Sequence, residues 1–146
     1  MPPAQVLEGL TGEQAAARVA GAPHSVVELV AHMVFWQEWF LDRCAGVGTP
    51  PVAKASLGWP AAGAEDWERL KGCFSANLER GVKVAGDAAT SARRVDPPIE
   101  FPELANYTIG DAIAHMALHN AHHLGQIVTL RQIQATWPPP FGSYTW

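Results

Sequence analysis

The stretch YTIGDAIAHMALHNAHHLGQIVTLRQIQATW, residues 107–137, predicts one long helix and contains four of the six histidines in the chain. Thr108 is a good N-cap, and Asp111 completes a capping box. The prolines at 138–140 prevent the helix from continuing. A core-facing stripe with spacings of three and four consists of Ile109, Ala112 or Ile113, Met116, His119, His123, Ile127 and Leu130. The stripe thus carries histidines at two positions where a bundle helix normally carries leucines.

His119 and His123 are one helical turn apart, so both rings project from the same face with Cβ atoms about 6 Å apart. One cation could accept a nitrogen from each ring, which would make half of a metal site. The alternative is a pair of core histidines that hydrogen-bond to polar neighbours. Burying two imidazoles without partners is costly, so this alternative is weaker for two stacked rings than for a single one.

Composition limits the classes of protein that the chain can represent. With 146 residues, 48% of them hydrophobic, it predicts a single domain over 1–146 with a C-terminal tail at 138–146. A net charge of -4 with only ten lysines and arginines disfavours nucleic-acid binding. The sequence shows neither a secretory signal nor an apolar run of membrane-spanning length. Cys44 and Cys73 lie far apart without a CxxC motif, which is typical of reduced thiols, so we expect a cytoplasmic protein without a membrane partner.

Two further long helices are predicted upstream of the histidine-rich one. The first follows an N-cap at Ser25, with Glu28 completing the capping box, and ends at Gly46. The other begins at Glu65 and ends near Gly86, with an apolar stripe on one face. Together with a small N-terminal helical layer, this pattern predicts an all-α fold of four helices of unequal length. The second and last helices should be adjacent.

The remaining segments are predicted to be short helices or long loops. Residues 4–10 could form two helical turns, and Thr11 begins a capping box for another short helix. The connections at 46–63 and 87–106 are rich in glycine, proline or alanine and should be loops, which often cover a site when they are this long. Trp59 either plugs the end of the bundle or anchors its loop to the core.

His32 is the candidate for a third metal ligand. It lies at the edge of the buried stripe of the second helix, where a lone histidine is more often a boundary residue than a ligand. However, a zinc site needs at least three protein ligands, and His32 is the only other histidine on a long amphipathic helix. His24 precedes that helix and is expected to be solvated.

The other two histidines of the last helix have open roles. His115 could support a ligand or shuttle protons, or it could be solvated or part of the core. His122 is rotated by about 100° from His123 and should point away. Asn120 stands where an HExxH zincin carries its glutamate, so no general base is assigned. Four carboxylates could support the site, although solvation is the default for each: Glu28, Glu38, Asp42 and Asp111.

PHSVVELVAHMVFWQEW at 23–39 and IGDAIAHMALHNAHHLGQIVTLRQ at 109–132 resemble the DinB/YfiT-like family of metal-binding four-helix bundles. The family pattern has a histidine in the second helix and H-x-x-x-H-x-G-Q-[IV] in the last. The matching positions are His32, His119, His123, Gly125, Gln126 and Ile127. The resemblance covers about residues 7–131, and it departs from many relatives at Leu124, where they have arginine.

This resemblance implies an all-α four-helix bundle of DinB/YfiT type with long interhelical loops. It also implies a divalent transition metal (zinc, nickel or iron) held by His32, His119 and His123, with positions left for water or substrate. A structural zinc normally has four protein ligands, so three ligands favour chemistry at the open position. A thiol or water bound there would lose its proton near neutral pH. The apolar tail with Phe141, and the resemblance itself, also make a homodimer an expectation.

Known relatives include thiol S-transferases that use bacillithiol or mycothiol, and a mycothiol-dependent maleylpyruvate isomerase. The resemblance therefore implies a metal-dependent enzyme that acts on a small molecule, with transfer of a low-molecular-weight thiol as the leading hypothesis. A metal-dependent hydrolase of a small molecule is the second. A non-catalytic metal-binding or stress-associated protein remains an alternative, as does a helical interaction module with purely structural histidines.

Overall fold

The computed structural model describes residues 1–50 and 52–143 of the chain. Its helices are α1 (Gly12–Ala16), α2 (Val26–Cys44), α3 (Trp67–Gly86), α4 (Ala88–Ser91) and α5 (Ile109–Ile133). The described residues also form four 3-10 turns: Pro3–Leu7 before α1, Ala55–Gly58 and Ala64–Asp66 between α2 and α3, and Pro102–Leu104 before α5. No strand occurs in the described part of the chain, only an isolated bridge between Arg94 and Thr108. The prediction of an all-α fold is confirmed.

Capping boxes begin both helices that carry the candidate ligands, as the sequence predicts. At the start of α5, the Asp111 carboxylate accepts from the backbone N–H of Thr108 at 2.9 Å, and the Thr108 hydroxyl accepts from the N–H of Asp111 at 3.1 Å. At the start of α2, the Glu28 carboxylate accepts from the N–H of Ser25 at 2.8 Å. These bonds satisfy N–H groups that have no partner within the helix, and so fix where each helix begins.

The prediction that the last helix continues to Trp137 is wrong by four residues, because α5 ends at Ile133. Ala135 has a φ of 55°, in the left-handed region, which turns the chain out of the helix. The backbone N–H of Thr136 then donates to the carbonyl of Arg131 at 2.9 Å. The helix therefore ends through local hydrogen bonding before the prolines are reached.

The three long helices pack around two cores of buried apolar side chains, with α2 in contact with both α3 and α5. One core includes Val26, Val30, Met33, Trp67, Phe74 and Ile127. The other includes Trp39, Phe40, Leu41, Ile99, Ile109 and Met116. Each large apolar side chain that is fully buried contributes about 1.5–3 kcal/mol. This packing places α2 beside α5, as predicted, and so brings together helices that are distant in sequence.

The N-terminal region is less helical than predicted. Residues 4–10 form only the 3-10 turn, and the helix after Thr11 stops at Ala16. The region is nevertheless fixed to the bundle, because the indole N–H of Trp67 donates to the carbonyl of Leu10 at 2.9 Å. The guanidinium of Arg131, which is 1% exposed, donates to the carbonyl of Val6. Short segments thus form the wall for which the sequence predicts a first helix.

Both long connections are held by the buried side chain of Arg43 at the end of α2. Its guanidinium donates to the Thr49 hydroxyl at 2.9 Å in the first connection. In the second, it donates to the carbonyl of Pro98 at 3.2 Å and pairs with Glu100 at 2.5 Å. These bonds fix the two long connections relative to the end of α2.

The C-terminal tail does not pack in the way that the sequence predicts. The ring of Phe141 is 86% exposed, although we expect it to be covered by the bundle or by a second copy of the chain. Residues 144–146, which include the two other aromatic residues of the tail, lie outside the described residues. The homodimer therefore stays a prediction.

Candidate metal centre

The three predicted ligands lie together between α2 and α5. The Nε2 atom of His119 is 3.1 Å from Nε2 of His32 and 3.2 Å from Nε2 of His123. Each ring offers one nitrogen to a group in which all ligand atoms lie within 4.8 Å of one another. We call these three side chains the histidine cluster.

Hydrogen bonds on the outer side of two rings direct their inner nitrogens into the cluster. The Nδ1–H of His32 donates to the carbonyl of Gly58 at 2.6 Å, and the Nδ1–H of His123 donates to the carboxamide oxygen of Gln126 at 2.7 Å. A carbonyl oxygen can only accept, so in the neutral rings Nδ1 carries the proton and Nε2 keeps its lone pair. Such partners are typical of histidines that bind metals.

Gly58 belongs to the first long connection, and its backbone lies against the ring of Trp36. A Cβ atom added at Gly58 would stand 2.5 Å from the indole nitrogen of Trp36, closer than real Cβ contacts allow. Only glycine therefore lets the chain approach α2 closely enough for its carbonyl to reach His32. The sequence analysis does not identify this residue, although the long glycine-containing loop suggests that some part of it covers a site.

Burial keeps the three rings neutral. Loss of solvent lowers the pKa of His32 to about 4, an effect that His123 and His24 increase and the hydrogen bond to Gly58 opposes. Burial, followed by the effect of the neighbouring histidines, lowers the pKa of His119 to about 4. The pKa of His123 is also lowered, again chiefly by burial. At neutral pH all three imidazoles are uncharged, which is the form that binds a metal.

The distances within the cluster fit a metal ion. Ligand nitrogens at about 2.0–2.1 Å from a zinc ion lie about 2.8–3.4 Å from one another when the angles between bonds are near 90–110°. The observed separations of 3.1 Å and 3.2 Å fall in this interval. Among the described residues, no carboxylate or thiol joins the cluster. The three histidines can therefore hold a metal ion and would leave part of its coordination sphere to other ligands.

The four carboxylates considered in the sequence analysis do not support the cluster. Glu28 and Asp111 bond to the caps of their own helices. Asp42 pairs with Arg80 at 2.9 Å, and Glu38 is exposed. The groups that hold the histidines are instead a backbone carbonyl and a carboxamide.

Trp59 covers one side of the cluster. Its ring stacks on His32 with centroids 3.7 Å apart and on His24 with centroids 3.8 Å apart, both at an interplanar angle of 11°. His24, which we expect to be solvated, is only partly so: its side chain is 34% exposed, and Trp59 covers one face of its ring. The indole separates these two histidines and excludes water from one face of His32.

His115 and His122 lie on different sides of α5. The Nδ1 atom of His115 is 3.4 Å from the phenol oxygen of Tyr107, and its ring is 5.3 Å from that of Phe40. His122 is exposed, as predicted, but it is not isolated, because the amide of Gln126 donates to its Nε2 at 3.2 Å. The carboxamide of Gln126 thus bridges His122 and His123.

Two cavities reach the cluster, and Trp59 lines both of them. The first has a volume of about 430 Å³ and is lined by residues that include His123 and three polar side chains, His24, Gln126 and Thr129. The second has a volume of about 420 Å³ and is lined by residues that include His32, His119 and the rings of Trp36, Phe40 and Phe101. We call them the polar-edged cavity and the aromatic cavity.

A second set of buried polar groups lies in the middle of the long helices. Gln37, Asn77 and Asn120 are 0%, 9% and 3% exposed. Within the described residues, neither polar atom of Gln37 or Asn120 has a hydrogen-bond partner, and the Nδ2 atom of Asn77 has none. The sequence analysis treats Asn120 only as the replacement of a catalytic glutamate. We refer to these three residues as the buried carboxamides.

The fold and the site define an all-α protein with a three-histidine cluster able to hold a metal ion. The chain belongs to the DinB superfamily, whose family model matches residues 4–127. This match includes all three histidines. Comparison with curated proteins and with solved structures finds no match. None of the helices in the described residues is long and apolar enough to cross a membrane.

Proposed function

We propose that the chain binds one divalent transition metal ion through Nε2 of His32, His119 and His123, and that it transfers a low-molecular-weight thiol to a small electrophile. The metal would be zinc, nickel or iron. The observation that carries the proposal is that Nε2 of His119 lies 3.1 Å from Nε2 of His32 and 3.2 Å from Nε2 of His123, with all three ligand atoms within 4.8 Å of one another. Membership of the DinB superfamily supports the same interpretation.

The hydrogen bonds at Nδ1 argue for a site prepared before a metal arrives. His32 and His123 are both held by acceptors that fix the proton on the outer nitrogen. These partners reduce the conformational freedom that each ring would lose on binding, and they make the ligand nitrogens more basic. Histidines with a purely structural role in the core would not need to bring three ring nitrogens close together.

A bound divalent cation would lower the pKa of a thiol held in its open position, so that the thiolate is available near neutral pH. The thiolate sulfur would form a bond to the electrophilic carbon, and that carbon would release its leaving group with the bonding electrons. The thiol proton would pass to solvent. The residues around the cluster would bind the two reactants and keep the histidines neutral.

The two cavities support a reaction between two small molecules. Low-molecular-weight thiols carry polar substituents, which suit the polar-edged cavity with its side chains of Gln126 and Thr129. The aromatic cavity approaches the cluster from His32 and His119 and would hold the other reactant. Both volumes lie within the range of about 300–1,000 Å³ that is common for ligand sites.

The arrangement favours thiol transfer over hydrolysis. Hydrolysis at a metal site is usually assisted by a general base close to the attacking water. The described residues that line the two cavities include no aspartate or glutamate, so only His24 and His115, which are not proposed metal ligands, could act as that base. Asn120, which stands at the HExxH position, is buried and not among these lining residues.

Elemental analysis of the purified protein tests metal binding directly. We expect about one equivalent of zinc, nickel or iron, lost in His119→Ala and retained in His122→Ala. His122 is a suitable control because it lies on the same helix but is exposed. Less than half an equivalent of any transition metal, or a content unchanged by His119→Ala, would contradict the proposal.

Turnover assays separate an enzyme from a non-catalytic metal-binding protein. The metal-loaded protein should accelerate the reaction of a low-molecular-weight thiol, such as bacillithiol, mycothiol or cysteine, with 1-chloro-2,4-dinitrobenzene, and His119→Ala should not. If the metal binds but no thiol in the panel reacts faster than without protein, the non-catalytic alternative replaces thiol transfer.

A further inference from the structure

We propose that the aromatic cavity binds the flat, uncharged aromatic part of a ligand directly beside the histidine cluster, which makes an aromatic electrophile the preferred substrate class. This inference rests on the proposed function, because it concerns the reactant that meets the thiol. The inference goes beyond the proposed function by naming the chemical class of the second reactant.

The walls of the cavity are aromatic on several sides. Trp36, Phe40, Trp59 and Phe101 all present rings to it, and Leu104 adds an aliphatic surface. Trp36 and Phe40 have centroids 6.4 Å apart, within the usual range for interacting rings. Stacked and edge-to-face contacts with such rings favour a planar ligand over a flexible polar one.

The aromatic cavity leads to the candidate metal position. His32 and His119, two of the three proposed ligands, lie on its surface. A ring that fills it would therefore carry a substituent toward the open side of the cluster. His24 and His32 occupy the two faces of the Trp59 indole, so a bound ring would meet the edge of Trp59.

The side chains that line the aromatic cavity do not favour an anionic ligand in the absence of a metal ion. None of the described residues that line the cavity is a lysine, an arginine, an aspartate or a glutamate. Two arginines that might have been recruited are used elsewhere: Arg43 bonds to the two long connections, and Arg94 donates to Asn106. In the metal-free protein, a carboxylate or phosphate would lose its hydration there without gaining a cationic partner.

His115 also lines the aromatic cavity and is not a proposed metal ligand. It limits which polar substituents the bound aromatic molecule can have. Its Nδ1 atom is 3.4 Å from the Tyr107 hydroxyl. The imidazole can therefore offer one hydrogen bond to a neutral polar substituent. A nitro, carbonyl or hydroxyl group on the ring would match this capacity, whereas several charged groups would not.

Calorimetric titration of the full-length protein with indole and with succinate tests the proposal. Indole is a flat uncharged aromatic molecule, and succinate is a small dianion. We expect indole to bind both the zinc-treated and the chelator-treated protein with a Kd below about 1 mM. Succinate should show no binding to the chelator-treated protein. Binding of succinate there, or no binding of indole, would overturn the proposal.

Two variants place the bound indole in the aromatic cavity. Phe101→Ala should weaken indole binding at least about fivefold, and Leu104→Ala about threefold, because each removes a wall of the cavity. Leu78→Ala is the matched control for Leu104→Ala: both leucines are half-buried, but Leu78 lies on α3 away from the cavity. Equal affinity in all three variants would overturn the proposed location, provided that circular dichroism shows folded protein.

The test distinguishes failure of this inference from failure of the proposed function. Indole binding to the chelator-treated protein does not require a metal. If indole binds as expected but zinc does not, the aromatic cavity is supported and the metal-dependent function is contradicted. If zinc binds at the histidine cluster and indole does not bind, the metal site of the proposed function is supported and the substrate class is overturned.

Discussion

The histidine cluster and the buried carboxamides are two sets of polar side chains carried by the same bundle, and they use their hydrogen-bonding atoms differently. In the cluster, the outer nitrogens of His32 and His123 have acceptors, and the inner nitrogens face a common point. Gln37 and Asn120 have no partner for either polar atom among the described residues. Burial alone therefore does not mark a functional polar group.

The two sets differ in whether hydrogen bonds from neighbouring residues orient their side chains. A carbonyl at Gly58 and a carboxamide at Gln126 set the proton positions of two imidazoles, so the free lone pairs converge. His119 differs from its neighbours, since its Nδ1 atom is buried and lacks a partner in the described part of the chain. Its orientation depends on packing within α5 and on the other two rings.

The largest expected effect is on zinc affinity, which should distinguish the histidine cluster from the buried carboxamides. His123→Ala should lower zinc affinity by more than about 100-fold, because it removes a ligand, whereas loss of an outer partner alone costs about 10–100-fold. Asn120→Ala, three residues earlier on the same helix, should change affinity less than about threefold. Zinc competition with a chromophoric chelator measures both. Similar losses in the two variants would show that the carboxamides belong to the same site.

The outer partner of His32 gives the next prediction. Gly58→Ala places a Cβ against Trp36, so the loop must shift and the carbonyl leaves His32. Zinc affinity should fall about tenfold. Gly48→Ala is the control in the same connection, since a Cβ there meets nothing within 4 Å. If both variants bind zinc as tightly as the parent, the contact with Gly58 does not prepare the site.

Helices and their apolar faces could be predicted from the sequence because their periodicity and caps are local. The start of α5 at Thr108 and the convergence of His119 with His32 follow from such patterns and from the family resemblance. The acceptor at Gly58 and the stacking of Trp59 could not be predicted, since loop segments lack a period that reports which way they fold. The early end of α5 depends on a left-handed residue, Ala135, whose type does not indicate that conformation.

The pH dependence of stability offers another way to distinguish the histidine cluster from the buried carboxamides, because imidazoles titrate and carboxamides do not. The pKa values of His32 and His119 are near 4 in the folded chain and near their ordinary value of about 6.5 when unfolded. The unfolded state therefore binds more protons between these values, and the metal-free protein should lose stability as pH falls from about 6.5 toward 4.

Thermal unfolding of the chelator-treated protein across this interval measures the effect. The slope of Tm against pH should be shallower in His119→Asn, which removes one of the titrating rings, and unchanged in Gln37→Leu. A Tm of the parent that stays constant between pH 6.5 and 4.5 would show that these imidazoles are not held neutral by burial.

The smallest expected effect concerns the buried carboxamides themselves. Asn120→Leu replaces a buried amide, which has no hydrogen-bond partner among the described residues, by an apolar side chain of similar size, so it should raise the free energy of unfolding by about 1 kcal/mol. Gln132→Leu is the control, because Gln132 carries an exposed carboxamide on the same helix and should change stability by less than about 0.5 kcal/mol. Urea denaturation measures both. A loss of more than about 1 kcal/mol in Asn120→Leu would mean that the amide makes favourable hydrogen bonds in solution, and that the two polar sets are more alike than their protein contacts indicate.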